Sequence, residues 1–156
     1  MAAPPVTVHI ETPRGGRTKR RSDGRIDFIS PARCPFNYGY IPGTRAGDGA
    51  PVDALVLGDK LDAGALEMTY AYGWVAFEDA GQADPKLICG THPPSDAERQ
   101  RIERFFTLYA LAKRALNGLR RLPGQTRYLG IHRLDAWEGA APWDRPGIPD
   151  LSLIHI

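Results

Sequence analysis

The sequence predicts a mainly β protein that closes a small barrel and flanks it with one long C-terminal helix. Short apolar or alternating runs are separated by Gly and Pro punctuation, the pattern of small all-β barrels. From Ser95 onward the apolar residues instead recur at spacings of three and four, the period of an amphipathic helix. The 156 residues, 42% hydrophobic and 24% charged, fit one ordinary globular domain.

The elements follow in order. Val6, Val8 and Ile10 alternate with Thr7, His9 and Glu11, as in a half-buried strand. A basic turn leads to a second short strand, Arg25 to Ile29. Residues 31–51 carry Pro31, Pro35, Pro42 and several glycines and read mostly as loop, with Tyr38 to Ile41 extended. Val52 to Leu57 is a buried strand, Ala65 to Phe77 a longer one, and Lys86 to Cys89 another. The helix starts with a Ser-x-x-Glu capping box at Ser95 and Glu98. Ile102, Phe105, Phe106, Tyr109, Ala112 and Leu116 form its apolar face, and Gly118 is the expected terminator. Residues 1–136 are expected to form a single domain and 137–156 a Gly/Ala/Pro-rich tail. The last six residues, Leu151-Ser152-Leu153-Ile154-His155-Ile156, are what the adapter CTGTCTCTTATACACATC encodes in one frame. They are expected to be adapter sequence and carry no argument.

Composition narrows the function classes. A net charge of +2 gives no whole-protein drive toward nucleic acid or membrane. Two cysteines, Cys34 and Cys89, do not make a disulfide scaffold and are expected to be packed thiols. No apolar run reaches the roughly 20 residues of a membrane span, and Met1-Ala2-Ala3-Pro4-Pro5 lacks the charged-then-apolar order of a signal peptide. A cytoplasmic location is expected. His9 and His132 lie in strand-like alternations without ligand-spaced partners, and His92 sits in a loop.

The chemistry gathers around Asn37-Tyr38-Gly39-Tyr40-Ile41-Pro42-Gly43-Thr44 and Asp48-Gly49-Ala50-Pro51-Val52-Asp53. Two carboxylates stand five residues apart at the mouth of an apolar run. Asp-Gly alone is ordinary turn chemistry, but a hard divalent cation such as Mg²⁺ needs such a pair, with substrate phosphates completing its shell. The segment resembles the signature of soluble family I inorganic pyrophosphatases, normally Asp-Gly-Asp-Pro-apolar-Asp. The likeness runs in matching order over roughly residues 6–113.

That resemblance implies a five-stranded, OB-like distorted barrel and Mg²⁺-dependent hydrolysis of inorganic pyrophosphate to two phosphates by a metal-activated water. It implies Asp48, Asp53, Asp79, Asp84 and Glu11 as metal ligands. Asp79, Asp84 and Lys86 match the family's second acidic loop. Lys19, Lys86, Tyr38 and Tyr109 are implied as phosphate contacts, with Lys113, one turn beyond Tyr109, a partial substitute for a lysine the family places next to that tyrosine. Asp48, Asp53, Lys19 and Tyr38 are the implied catalytic group. A homo-oligomer is implied as well.

Four departures stand against the pattern. Ala50 replaces the aspartate usually given the water-activating role, and Arg21 stands where a glutamate is expected. Ala110 replaces the helix lysine, and the shorter 24–37 segment leaves only Arg33 and Arg45 as candidates for the family's arginine. Ala50 and Ala110 together keep open a catalytically impaired relative that binds phosphate or metal. Six basic residues between Arg14 and Arg25 raise a more remote alternative, an OB-like binder of single-stranded nucleic acid, although the acidic loops would repel a phosphate backbone.

Overall fold

The computed structural model describes residues 3–20, 25–30, 32–45 and 50–134. The elements are β1 (Pro5–Thr12), β2 (Thr18–Arg20), β3 (Ile26–Ile29), β4 (Asn37–Ile41), β5 (Val52–Val56), β6 (Leu66–Asp79), β7 (Gln82–Ala83), β8 (Lys86–Gly90), α1 (Asp96–Leu119) and β9 (Arg127–Arg133). The expected tail and the proposed adapter residues lie outside the described residues.

Five strands close a ring in the order β1, β4, β5, β8, β6, and β6 returns to β1. The expected OB-like distorted barrel with a flanking helix is therefore present. Every pairing in the ring is antiparallel except β5 with β8. The 14-residue β6 closes the ring by serving both ends: Leu66 to Tyr70 pair with β1, and Tyr70 to Val75 with β8. A register shift between Ala71 and Gly73 bends it between these duties.

Strand alternation divides the apolar side chains into two cores. Val52, Ala54 and Val56 of β5, with Val8, Ile10, Leu87 and Cys89, fill the barrel. Leu55 of β5, with Tyr38, Val75, Phe77 and Ile88, faces α1 and packs on Ile102, Phe105, Phe106 and Tyr109. The second face carries the site: Asp53 shares it with Leu55, and Lys86 with Ile88. Gly39 allows β4 to lie against β1, since a Cβ there would sit on the His9 carbonyl.

The capping box forms as expected, with Ser95 Oγ accepting from the Glu98 N–H and Glu98 Oε1 from the Ser95 N–H. Three features differ from the expectation. The helix passes through Gly118 and ends at Arg120, because Arg121 takes the left-handed conformation (φ 55°) and the Leu122 N–H closes onto the Asn117 carbonyl. The buried face continues through Ala110, Lys113 and Asn117, while Ala112 and Leu116 are only half-buried. Finally, the basic turn contains β2, paired with β3 in a separate small sheet, and β9 lies antiparallel on β6.

Candidate active site

Asp53 is the centre of the site. Its Oδ2 accepts hydrogen bonds from Tyr38 Oη at 2.9 Å, Lys86 Nζ at 3.0 Å and Lys19 Nζ at 3.2 Å. The register explains the convergence. Asp53 lies opposite Tyr40 on β4 and opposite Lys86 on β5's other neighbour, β8, so Tyr38 reaches it diagonally and Lys86 directly. Lys19 arrives from β2, its ammonium 5.8 Å from the centre of the Tyr38 ring. Lys86 also lies 3.0 Å from Asp84 Oδ2, and its ammonium sits 5.4 Å from the Phe77 ring centre. The turn after β7 holds Asp84 through its N–H to the Phe77 carbonyl at 2.8 Å.

Burial sets the electrostatics. It would raise the Asp53 carboxyl, but Lys19, Lys86 and the Tyr38 hydrogen bond outweigh it and hold the group well below the usual range. For Asp84 burial wins and the pKa is raised, with Lys86 opposing and Asp53 reinforcing. Burial alone would lower the Lys86 ammonium, yet Asp84 and Asp53 raise it, so the lysine stays charged. Glu11 is pushed up to about 7, first by burial and then by Asp53, with Lys19 opposing. Three carboxyl groups thus share the site with two ammonium groups.

Asp53, Asp84 and Glu11 offer oxygen donors in which carboxyl groups outnumber ammonium groups by one. An all-oxygen donor set with one negative charge in excess is what Mg²⁺ would complete. Among the described residues no three acidic, His or Cys side chains stand close enough to form a metal site alone. Asp48 lies outside the described residues, and Asp53, Asp84 and Glu11 are the described groups that fit.

Asp79 and Lys113 pair with each other instead. Asp79 Oδ2 lies 3.6 Å from Lys113 Nζ, and Oδ1 accepts from Asn117 Nδ2 at 2.7 Å. Tyr109, one helical turn before Lys113, lines a cavity of about 20 Å³ together with Lys19, Tyr38, Thr12 and Phe105. That volume holds roughly one water, and it lies between α1 and the Lys19–Tyr38 side of the site.

Comparison with known proteins decides the family. The inorganic pyrophosphatase family model matches residues 8–120. The inorganic pyrophosphatase of Gluconobacter oxydans is 31% identical over 119 residues, covering 71% of this chain and 69% of its own. That of Streptomyces coelicolor is 34% identical over 123 residues, covering 65% and 75%. The chain belongs to the inorganic pyrophosphatase family. The crystal structure of the inorganic pyrophosphatase from Thermus thermophilus superposes with a TM-score of 0.67 at 27% identity, over 85% of this chain and 84% of that one.

The described part of the basic segment makes local contacts. The Arg14 guanidinium donates to the Gly58 carbonyl, Arg17 to the Ser30 carbonyl, and Lys19 to Asp53. Arg33 donates to the Gly15 carbonyl. Lys113 is buried; Arg114 is exposed and bonds the Thr126 carbonyl. His9 packs on Tyr40, His132 stacks on Trp74, and His92 is exposed. Cys34 and Cys89 are free and buried, and burial pushes the Cys34 thiol up to about 12. No helix among the described residues is long and apolar enough to cross a membrane.

One residue of the signature does work that its sequence does not advertise. Asn37 is fully buried; its Oδ1 accepts from the Arg14 and Leu61 N–H groups, and its Nδ2 donates to the Val56 and Asp59 carbonyls. It ties three loops around the site. A buried amide satisfied at both ends has no local sequence signal beyond its neighbours.

Proposed function

We propose that this protein hydrolyses inorganic pyrophosphate to two phosphates with Mg²⁺ held by Asp48, Asp53 and Asp84 and assisted by Glu11. Membership of the inorganic pyrophosphatase family supports the reaction. The observation that supports the site is the convergence of Lys19, Tyr38 and Lys86 on Asp53, with Asp84 sharing Lys86.

Each residue has a task set by its surroundings. A bound divalent cation supplies charge compensation for phosphate oxygens and acidifies water. Lys19 and Lys86, both held charged, carry positive charge to the polyanion and to the charge that develops on its leaving phosphate. Burial and Asp53 raise the Tyr38 phenol, so at neutral pH it remains a hydrogen-bond donor. Tyr109 fixes the helix side of the same cluster. Glu11 is half-buried with a pKa of about 7, so a bound cation would favour its ionised form. Ala50 offers a methyl where a base would serve, so water is deprotonated without a carboxylate at that position.

The test is phosphate release from pyrophosphate with and without Mg²⁺, beside Asp53→Asn. Mg²⁺-dependent release that Asp53→Asn abolishes supports the assignment, and equal turnover in that variant refutes it. Ala50 favours a second reading, a relative that binds phosphate without turning it over; silence in the wild type with activity in Ala50→Asp would select it.

Self-association is proposed through the outward row Leu66, Met68 and Tyr70 on β6, exposed at 63%, 79% and 47%. Sedimentation equilibrium tests it, and a monomer at every concentration would refute it. The two free buried thiols support the cytoplasm as the protein's place.

A further inference from the structure

We propose that Lys113 is a built-in counter-cation for Asp79, so that Asp79 positions the β6–β7 turn against α1 and takes up no divalent cation. The inference rests on the cation reading given above and narrows it to the carboxylates around Asp53. It starts from a contrast between two acidic clusters. Around Asp53, three carboxyl groups face two ammonium groups. Around Asp79, the carboxylate meets the Lys113 ammonium.

Both Asp79 oxygens are engaged. Oδ1 accepts from Asn117 Nδ2 at 2.7 Å and from Thr126 Oγ1 at 3.4 Å, and Oδ2 faces Lys113 Nζ at 3.6 Å. The donors come from an enclosed layer, since Lys113, Asn117 and Thr126 are exposed at only 4%, 5% and 3%. Asn117 Nδ2 also donates to Thr126 Oγ1 at 2.8 Å, and that oxygen accepts the Ala80 N–H at 3.0 Å. The turn after β6, the segment before β9 and the end of α1 are thereby tied into one network.

Helical spacing explains the supply of the ammonium. Tyr109, Lys113 and Asn117 are four residues apart and share a face. Tyr109 reaches the Lys19 cavity, and the next two turns reach Asp79. Ala110 is buried beside Tyr109 and contributes only a methyl, so Lys113 is the cation that this buried face carries. A divalent ion on Asp79 would have to drive the Lys113 ammonium from its partner, and an unpaired ammonium in an enclosed layer is strongly disfavoured.

The experiment counts Mn²⁺ bound per chain by electron paramagnetic resonance and follows thermal unfolding in parallel. Asp79→Asn is expected to bind as many Mn²⁺ as wild type, within twofold in affinity, while melting at a lower temperature; Asp84→Asn is expected to lose at least tenfold in affinity. Lys113→Met, which leaves Asp79 uncompensated, is expected to bind one Mn²⁺ more. If Asp79→Asn does not fold, the pair Asp79→Asn with Lys113→Met removes both charges and is expected to fold and to keep the wild-type complement. Loss of one Mn²⁺ in either folded variant lacking Asp79 overturns the inference, as does a folded Lys113→Met with an unchanged count. A wild type that binds no Mn²⁺ refutes the cation reading itself, and the inference falls with it.

Discussion

The Lys86 ammonium, wholly excluded from solvent, lies 3.0 Å from Oδ2 of Asp53 directly across the β5–β8 pair. A lysine so placed is tolerated only because carboxylates meet it, and the converse holds for the carboxylates. Lys86→Met should therefore cost the metal-free protein about 3–5 kcal/mol, the usual consequence of stranding a buried charge. Urea unfolding measures this. Mg²⁺ should recover part of the loss by taking over the compensation, and a variant as stable as wild type without metal would contradict the arrangement.

Ala50→Asp restores a carboxylate to the signature loop. Because a positioned general base typically contributes 10²–10⁴-fold, a gain of about tenfold or more in turnover is expected. Initial rates at saturating Mg²⁺ decide it, and an unchanged rate would assign proton abstraction elsewhere.

Glu11 makes stability depend on pH in the metal-free protein. Its folded pKa of about 7 lies above the ordinary 4.5, so the folded state holds the proton more tightly than the unfolded chain. The stabilisation is fully present below about pH 4.5 and disappears as pH rises through 7. Glu11→Gln should thus melt higher relative to wild type at pH 8 than at pH 4. A melting-temperature difference independent of pH would show that the folded state does not hold the Glu11 proton more tightly than the unfolded chain.

Asn37→Ala removes four hydrogen bonds and leaves two backbone N–H groups without their acceptor. A loss of about 3 kcal/mol is expected from the usual penalty for buried unsatisfied groups. Chemical denaturation measures it; a loss within a few tenths of wild type would mean water replaces the amide.

Ring strands and helix cap were legible because their signals are local. Val6, Val8 and Ile10 alternate within five residues, and Ser95 and Glu98 cap across one turn. The cluster of Lys19, Tyr38, Asp53, Asp84 and Lys86 was legible through family resemblance, and the pleat then accounts for its meeting on one face. The fate of Asp79 was not. Its partners Asn117 and Thr126 lie 38 and 47 residues away, and nothing in the helix pattern distinguishes a buried Lys113 from a solvated one. β2 was hidden because three residues among arginines and glycines carry no alternation to read.

The parallel seam between β5 and β8 has a kinetic meaning. Asp53 and Lys86 are 33 residues apart, and the whole of β6 must cross over before they can meet. Non-local pairing of this kind is slow to nucleate. Until β5 and β8 pair, Asp53 and Lys86 stay apart, so a cation held by Asp53 and Asp84 would be captured only after that pairing. Refolding rates should then be insensitive to Mg²⁺ while unfolding rates fall with it, since the ion can grip only what has already closed.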